Sequence, residues 1–512
     1  MLSRVSSASN LGLETIPVEV EVNLAERGLP AFEIVGLPSK AVDESKERVK
    51  TAIVNSGIEF PTRRITVNLA PADVPKEGSF YDLPIAVGIL SLTRQCRLPK
   101  SSLFFGELSL EGTVRHTKGA LLLALCAKER GIKNIFVPEP SANEAAIIEG
   151  VNVYPVESLN QLLAYLSGEI ELLPAEYREA NQAQAPVEAE FDIAEILGQE
   201  QAKRAMEISA GGGHNLFMIG SPGAGKTMLA RALPGILPLL AERESLEVTK
   251  VYSASGRIPP QGSMIKIRPF RAPHHTISPV GLIGGGTNPQ PGEVSLAHRG
   301  VLFLDEFNEF PRSVLEALRQ PMEDGHLTIS RSRKRASFPS RFMLIASANP
   351  CPCGYLYHPG KPCLCSQREI EKYRKRVSGP ILDRIDLHVE VPVVDVKEFS
   401  HEQEVKKSAE LSSQIRMRVV KAREMQRERF IKEGIHTNAE MKNKQIKKYC
   451  SLSKEVRQVL LQAMRTFKLS ARSYFKMIKV TRTIADLEGS QGITVAHMAE
   501  ALQYRPKTQN EG

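Results

Sequence analysis

NLFMIGSPGAGKTMLARALPGIL, residues 215–237, decides the fold. An apolar run leads into Gly220-Ser221-Pro222-Gly223-Ala224-Gly225-Lys226-Thr227, and a helix-forming run follows. The eight-residue segment matches GxxxxGK[ST] in full, in the strand–loop–helix context where that pattern cradles phosphates. Its glycines let backbone N–H groups wrap an anion at a helix N-terminus, where the dipole also favours negative charge. Lys226 is then placed to reach the β- and γ-phosphates of ATP, and the Thr227 hydroxyl to ligate Mg²⁺. Around this loop, Phe191 to about residue 395 alternates short apolar runs with helical stretches, the pattern of an α/β domain with a mostly parallel sheet.

VLFLDEF, residues 301–307, begins about seventy-five residues after the loop and reads as a buried strand ending in two carboxylates. Asp305 is expected to hold the Mg²⁺ shell, and Glu306 to polarise the attacking water. RFMLIASAN, residues 341–349, ends another apolar run on Asn349, whose amide can orient that water. Such strand tips meet at the carboxyl edge of one sheet, where sites of this kind form. Arg384, in SGPILDRIDLHVEV, and Arg472, in LSARSYFKMIKVTRTIADL, complete the candidate set. Single arginines are ordinarily surface residues, so order along the chain carries their assignment.

The 512 residues allow several cores, and 42% hydrophobic with 24% charged residues is an ordinary globular balance. No apolar run approaches the ~20 residues of a membrane span, and MLSRVSSASNLGLETIPVEVEV has no apolar h-region. A cytoplasmic chain without membrane partners is expected. A net charge of +9 permits a polyanionic partner without demanding one. Residues 1–170 alternate strand-like and helix-like runs; 171–190, polar and rich in Ala, Gln and Glu, read as a linker. The ATP-binding core is assigned to 191–395, a helical region to 396–505 and a polar tail to 506–512.

Four of the seven cysteines lie in NPCPCGYLYHPGKPCLCS, residues 349–366, as a CxC-x9-CxC insertion at 351–365. In a reducing compartment clustered thiols suggest a metal before a disulfide. Cys351, Cys353, Cys363 and Cys365 could supply a tetrahedral structural Zn²⁺ site, with His358 as a substitute for one thiol, although CxC is tighter than the usual CxxC knuckle. The cluster is expected to brace a loop that positions Asn349 and Arg384, or to contact DNA or a partner. HLTISRSRKRASFPSRF, residues 326–342, reads as a β-hairpin whose tip carries Arg331, Arg333, Lys334 and Arg335, a cationic end suited to a phosphate backbone. In 415–432, seven basic residues face two acidic ones, a solvated helix face or a second DNA contact. His274 and His275 read as loop residues rather than metal ligands.

Taken in order, GSPGAGKT, LFLDEF, ASAN, LDRIDL and LSAR resemble the P-loop, Walker B, sensor 1, arginine finger and sensor 2 of an AAA+ ATPase. RPFRAPHHTIS, PGEVSLAHRGVLFLDEF, ANPCPCGY and SGPILDRIDLHVEV resemble the magnesium-chelatase-like branch. GLPAFEIVGLPSKAVDESKERVKTAIVNSG and FPTRRITVNLAPADVPKEG resemble the YifB/ComM family. The resemblance implies an α/β chain with an AAA+ P-loop core, a helical carboxyl-terminal lid, and an amino-terminal domain like the Lon protease domain (ribosomal S5 domain 2-like). It further implies ATP and Mg²⁺ as cofactors and a homo-hexameric ring. Arg384 would then act on the neighbour's nucleotide and Arg472 on its own subunit's, with Arg319 a weaker candidate for a second inter-subunit contact. Members are regarded as DNA branch-migration motors of natural transformation, which makes single-stranded or branched DNA and recombination proteins the expected partners. The rival is a chelatase-type motor that remodels partner proteins without DNA.

PADVPKEGSFYDLPIA and GELSLEGTVRHTKGALLLA resemble the proteolytic domain of Lon, a resemblance that places that family's serine at Phe80 and its lysine at Leu121. Ser79 falls one residue early and Lys118 three residues early, so an assembly module without peptidase activity is expected.

Overall fold

The computed structural model describes all residues except 28, 73–75, 77, 95, 178–188, 260–263, 287, 332–333, 395–408 and 507–512, and omits the side chains of 331 and 334. Arg333, the centre of the supposed linker, the boundary at 395–396 and nearly all of the tail therefore lie outside the described residues.

The first sheet grows from the alternation in the amino-terminal sequence. Strand Glu14–Leu24 turns Val18, Val20 and Val22 inward and pairs antiparallel with Leu2–Leu11 and with Arg64–Ala70. Ala31–Val35 adds to the far side of Arg64–Ala70 in parallel. Helices Ser45–Asn55 and Asp82–Thr93 cover its inner face, the second apolar on every side and correspondingly buried. A smaller parallel sheet of Ser102–Phe104, Asn134–Pro138 and Asn152–Val156 follows, with helix Ala120–Glu129 against it and Gly131 at φ 69° ending that helix region. Residues 171–177 are no linker: Leu172 is buried in the first core and the Ala175 amide donates to the Val153 carbonyl at 2.7 Å. Their polar composition hid two anchoring contacts.

The second sheet carries the site. Its five strands run parallel in the order Phe270–Arg271, Val301–Leu304, Met343–Ala348, Leu216–Ile219, Leu387–Glu390. Buried on both faces, the three central strands read as continuous apolar runs rather than alternating ones. The register pairs Leu304 with Ala346 and Ile219 with Ala348, bringing three strand ends to one edge.

Beyond residue 409 the described chain is helical, mainly Ser412–Arg429, Lys454–Thr466, Ala471–Leu487 and Val495–Gln503. Ser412–Arg429 and Ala471–Leu487 contribute Ile415, Val419, Val480 and Ile484 to the core of the P-loop sheet. This packing consumes most of the basic helix face. Arg416 donates to the Gly235 carbonyl, Arg423 to that of Ala210, Arg418 pairs with Glu207 and Glu410, and Arg429 pairs with Asp486. Four of the seven cations are spent on structure, so the DNA-facing reading of this helix is withdrawn.

The hairpin forms as expected, His326–Arg331 against Lys334–Pro339, with Leu327 opposite Phe338 and Ile329 opposite Ala336. These four residues form one buried face, covered by Leu13 and Ile283. Gly12 sits so close that a Cβ there would stand 2.9 Å from Ala336 Cβ. The turn joining the first two strands of the chain thus seats against the hairpin.

Candidate functional site

The loop after strand Leu216–Ile219 is built from glycine-specific geometry. A Cβ on Gly220 would fall 2.2 Å from the Val391 carbonyl, so only glycine lets the loop leave the sheet there. Gly223 and Gly225 adopt φ of 78° and 88°, in the left-handed region. No atom lies within 4 Å on the side where their Cβ atoms would point. The open cradle, capped by helix Lys226–Ala232, fits a phosphate chain.

Lys226 is buried against this loop. Its Nζ donates to the carbonyls of Gly220 (2.6 Å) and Ser221 (3.0 Å) and to Asn349 Oδ1 (3.2 Å). Burial lowers its pKa to about 8, while Asp305 and Glu306 oppose that fall. The resting lysine is thus charged below about pH 8 and neutral above it, and phosphates would restore the charge. ADP binding near pH 9 should take up a proton, and binding near pH 7 almost none; calorimetry in buffers of different ionisation heat reads the difference.

Thr227 Oγ1 donates to Asp305 Oδ2 at 2.7 Å, placing the two expected Mg²⁺ ligands side by side. The other Asp305 oxygen accepts from the Glu306 amide at 3.0 Å and from the Ser347 hydroxyl. Ser347 escaped the sequence reading, although a polar residue inside the apolar run MLIASA was a signal. Glu306 stands in the left-handed region at φ 51°, with its side chain about half exposed. Such strain in a residue other than glycine gathers at functional sites. His275 Nδ1 lies 3.5 Å from Glu306 Oε2, and the His275 ring packs on His274 with centroids 4.1 Å apart. The reading of His275 as a plain loop residue missed this neighbour. Lys226, Thr227, Asp305, Glu306 and Asn349 are therefore brought together at the carboxyl edge of the sheet.

The two arginines are not. The Asn215 side-chain amide, at the amino end of the P-loop strand, donates to the Arg384 carbonyl at 3.0 Å. Arg384 Nη2 then pairs with Glu323 Oε2 at 2.5 Å, and Arg472 Nη2 with the other oxygen of that carboxylate. The two guanidiniums, Arg384 first, hold Glu323 below the usual carboxylate range. They line one cavity of about 700 Å³ with Asn215, Glu323, Lys476 and Lys479, at the amino edge of the sheet. Arg472, expected at its own subunit's nucleotide, lies in the folded chain at the opposite edge of the sheet from the P-loop. Its helix packs beside Asn215 and Asp386, with Lys476 Nζ donating to the Ile385 carbonyl, so Arg472 shares the face of Arg384. Arg319 pairs with Glu316, three residues earlier on the same side of the chain, at 2.7 Å.

Of the hairpin cations only Arg335 has a described side chain, and it is exposed. In the amino-terminal region Phe80 stacks on Phe105 and Leu121 is buried, its amide donating to Glu144. Ser79 donates to Glu107, and the Lys118 stem lies against Gly256. No hydrogen bond joins Ser79 to Lys118 among the described residues. The described helices include none long and apolar enough to cross a membrane.

Three family models cover most of the chain. "Magnesium chelatase, subunit ChlI" matches residues 192–399, a second ChlI model 18–141, and the ChlI C-terminal model 409–505. The competence protein ComM of Haemophilus influenzae is 42% identical over 511 residues, covering 98% of this chain and 97% of that protein. The uncharacterised protein YifB of Escherichia coli is 40% identical over 511 residues, with the same shares. The magnesium-chelatase 38 kDa subunit of Rhodobacter capsulatus is 28% identical over 179 residues, 31% of this chain and 50% of that subunit. With full-length identity above 40% and a P-loop site on a five-stranded parallel sheet, the chain belongs to the YifB/ComM family of magnesium-chelatase-like proteins, which points to an AAA+ ATPase.

Proposed function

We propose that this chain is a Mg²⁺-dependent AAA+ ATPase that assembles into a hexameric ring and moves on single-stranded or branched DNA, driving branch migration in recombination. One observation carries the reading. The cradle, its lysine and its carboxylates lie at one edge of the sheet, while the two candidate arginines lie at the other. A site divided in this way is completed by a neighbouring copy, as a closed ring of head-to-tail contacts requires.

Bound Mg²⁺ would supply positive charge to offset that of the phosphates during transfer. Thr227 and Asp305 stand where they can hold it. Lys226 neutralises phosphate oxygens, Asn349 fixes the lysine and can orient water, and Glu306 accepts that water's proton. The helical region would act as a lid at the subunit boundary. The amino-terminal domain, Lon-like in its sequence resemblance, would serve assembly. Support comes from Ser79, which is engaged with Glu107, and from Leu13 seated on the basic hairpin.

The DNA half has its own test. ATP turnover should rise with DNA, most on a four-way junction, with Glu306→Gln as the blank. Turnover indifferent to every DNA would favour the protein-remodelling alternative. Replacing Arg333 and Arg335 by alanine should weaken DNA binding and flatten its salt dependence, by about 0.7 in log–log slope for each phosphate of a single strand no longer neutralised. An unchanged slope would place the DNA-binding surface elsewhere.

A further inference from the structure

Among the described residues one group of side chains has the makings of a metal site outside the P-loop, the sulfurs of Cys351, Cys353, Cys363 and Cys365, all within 4.8 Å of one another. Cys351 and Cys353 are 3.4 Å apart, and Cys363 is 3.6 Å from each. Disulfide sulfurs would be about 2.05 Å apart. Thiolates about 2.3 Å from a central Zn²⁺ would stand about 3.8 Å apart, close to the spacing observed. The Gly354 amide donates to the Cys351 carbonyl at 3.0 Å, closing a tight turn at the first CxC pair. His358 is engaged elsewhere, its Nδ1 accepting the Gly360 amide at 3.0 Å and its ring edge-on to Tyr355.

The loop has little else to hold it. Tyr357 and Leu364 are 58% and 88% exposed, so the turn-rich segment builds no apolar core of its own. Yet it lies on the phosphate loop. Gly354, at φ 83°, leaves no room for a side chain, because a Cβ there would stand 2.6 Å from Pro222 Cδ. Cys351 is buried two residues beyond Asn349, the partner of Lys226. On the other side, Ser366 caps helix Gln367–Arg374, which leads to Gly379–Leu382 and Arg384.

We propose that Cys351, Cys353, Cys363 and Cys365 bind one Zn²⁺, and that the metal fastens Gly354 against Pro222, so that zinc occupancy sets the nucleotide affinity of the P-loop. The second half rests on reading residues 220–227 as the nucleotide site. Metal binding supplies the ordering free energy that a segment without a core lacks. Losing the metal releases the Gly354 turn, and the loop carrying Pro222 and Lys226 loses its wall.

The test uses the full chain purified under reducing conditions. Elemental analysis should find one zinc per chain, and none in Cys363→Ser/Cys365→Ser. Affinity for N-methylanthraniloyl-ADP with Mg²⁺ should fall about ten-fold in wild-type protein stripped by a chelator, and return when Zn²⁺ is added back. The stripped arm stands even if the double variant fails to fold, provided its far-ultraviolet circular dichroism is unchanged. Gly354→Ala separates the two halves: it should keep its zinc and still lose affinity. A chain that holds no zinc and takes none up overturns the site. Unchanged ADP affinity after complete stripping overturns the brace. A zinc-loaded wild type that binds no ADP overturns the brace together with the P-loop reading, while the zinc count still decides the site.

Discussion

Alanine at Arg384 should silence ATP turnover by about 10³–10⁵-fold, and adding chains that carry Lys226→Ala should bring turnover back. On the proposed ring, neither chain would hydrolyse ATP among copies of its own kind. The Arg384→Ala chain keeps an intact loop, and the Lys226→Ala chain keeps an intact arginine. In rings formed from an equal mixture, about one interface in four joins the two intact halves. The basis is the distance across the sheet. Arg384 follows a helical turn at Gly379–Leu382, and its carbonyl is held by Asn215 at the amino end of the strand whose far end opens into the P-loop. Arg472 should behave in the same way, because both guanidiniums sit on the carboxylate of Glu323. In the proposed ring that carboxylate would release them, or share them, when a neighbour's phosphate arrives. Arg472→Ala mixed with Lys226→Ala therefore discriminates: rescue places Arg472 across the interface, whereas a silent mixture beside a rescued Arg384→Ala would return it to its own subunit.

The parts of the site legible in the sequence are those encoded within one strand and the residues that end it. Four apolar residues followed by Asp305 and Glu306 specify both a strand buried on two faces and what stands at its tip, and the same holds for the run ending at Asn349. Glycines at 220, 223 and 225 announce backbone geometry that other residues reach only under strain. Contacts made across the fold left weaker marks. Ser347 reaches Asp305 from the neighbouring strand, His275 reaches Glu306 from a loop about thirty residues earlier, and Gly354 meets Pro222 from an insertion. Charge was the least dependable guide. Arg416, Arg418, Arg423 and Arg429 look like a solvated or DNA-binding face, yet each is bonded to backbone or carboxylate within the fold. The side on which Arg472 lies depends on where a whole helix packs, which its 3.6-residue periodicity does not encode. The polar residues after 170 misled for the opposite reason: Leu172 and the Ala175 amide anchor a segment whose composition reads as free.

Glutamine at Glu306 should leave nucleotide binding intact and reduce hydrolysis by about 10²–10⁴-fold, whereas alanine at Lys226 should remove binding itself. The two residues differ in what they hold. Lys226 is buried, and it ties the Gly220 and Ser221 carbonyls to Asn349; removing it takes away the cradle's cation and leaves Asn349 Oδ1 without that donor. Among the described residues Glu306 makes no side-chain hydrogen bond or ion pair to the loop: its side chain projects from a strained turn toward His275, half exposed, so glutamine fills the same volume. What it loses is the ability to take a proton from water. Titration with N-methylanthraniloyl-ADP alongside phosphate release separates the two effects in one pair of variants. Hydrolysis by Glu306→Gln within a few-fold of wild type would move the base elsewhere, with His275, 3.5 Å from that carboxylate, the next residue to replace. Unimpaired binding by Lys226→Ala would remove the phosphate from the loop altogether. A variant that binds ATP and cannot hydrolyse it also isolates one state of the ring: if that state grips DNA, Glu306→Gln with ATP should hold a four-way junction that the Lys226→Ala chain releases, and equal release by both would separate nucleotide binding from DNA binding.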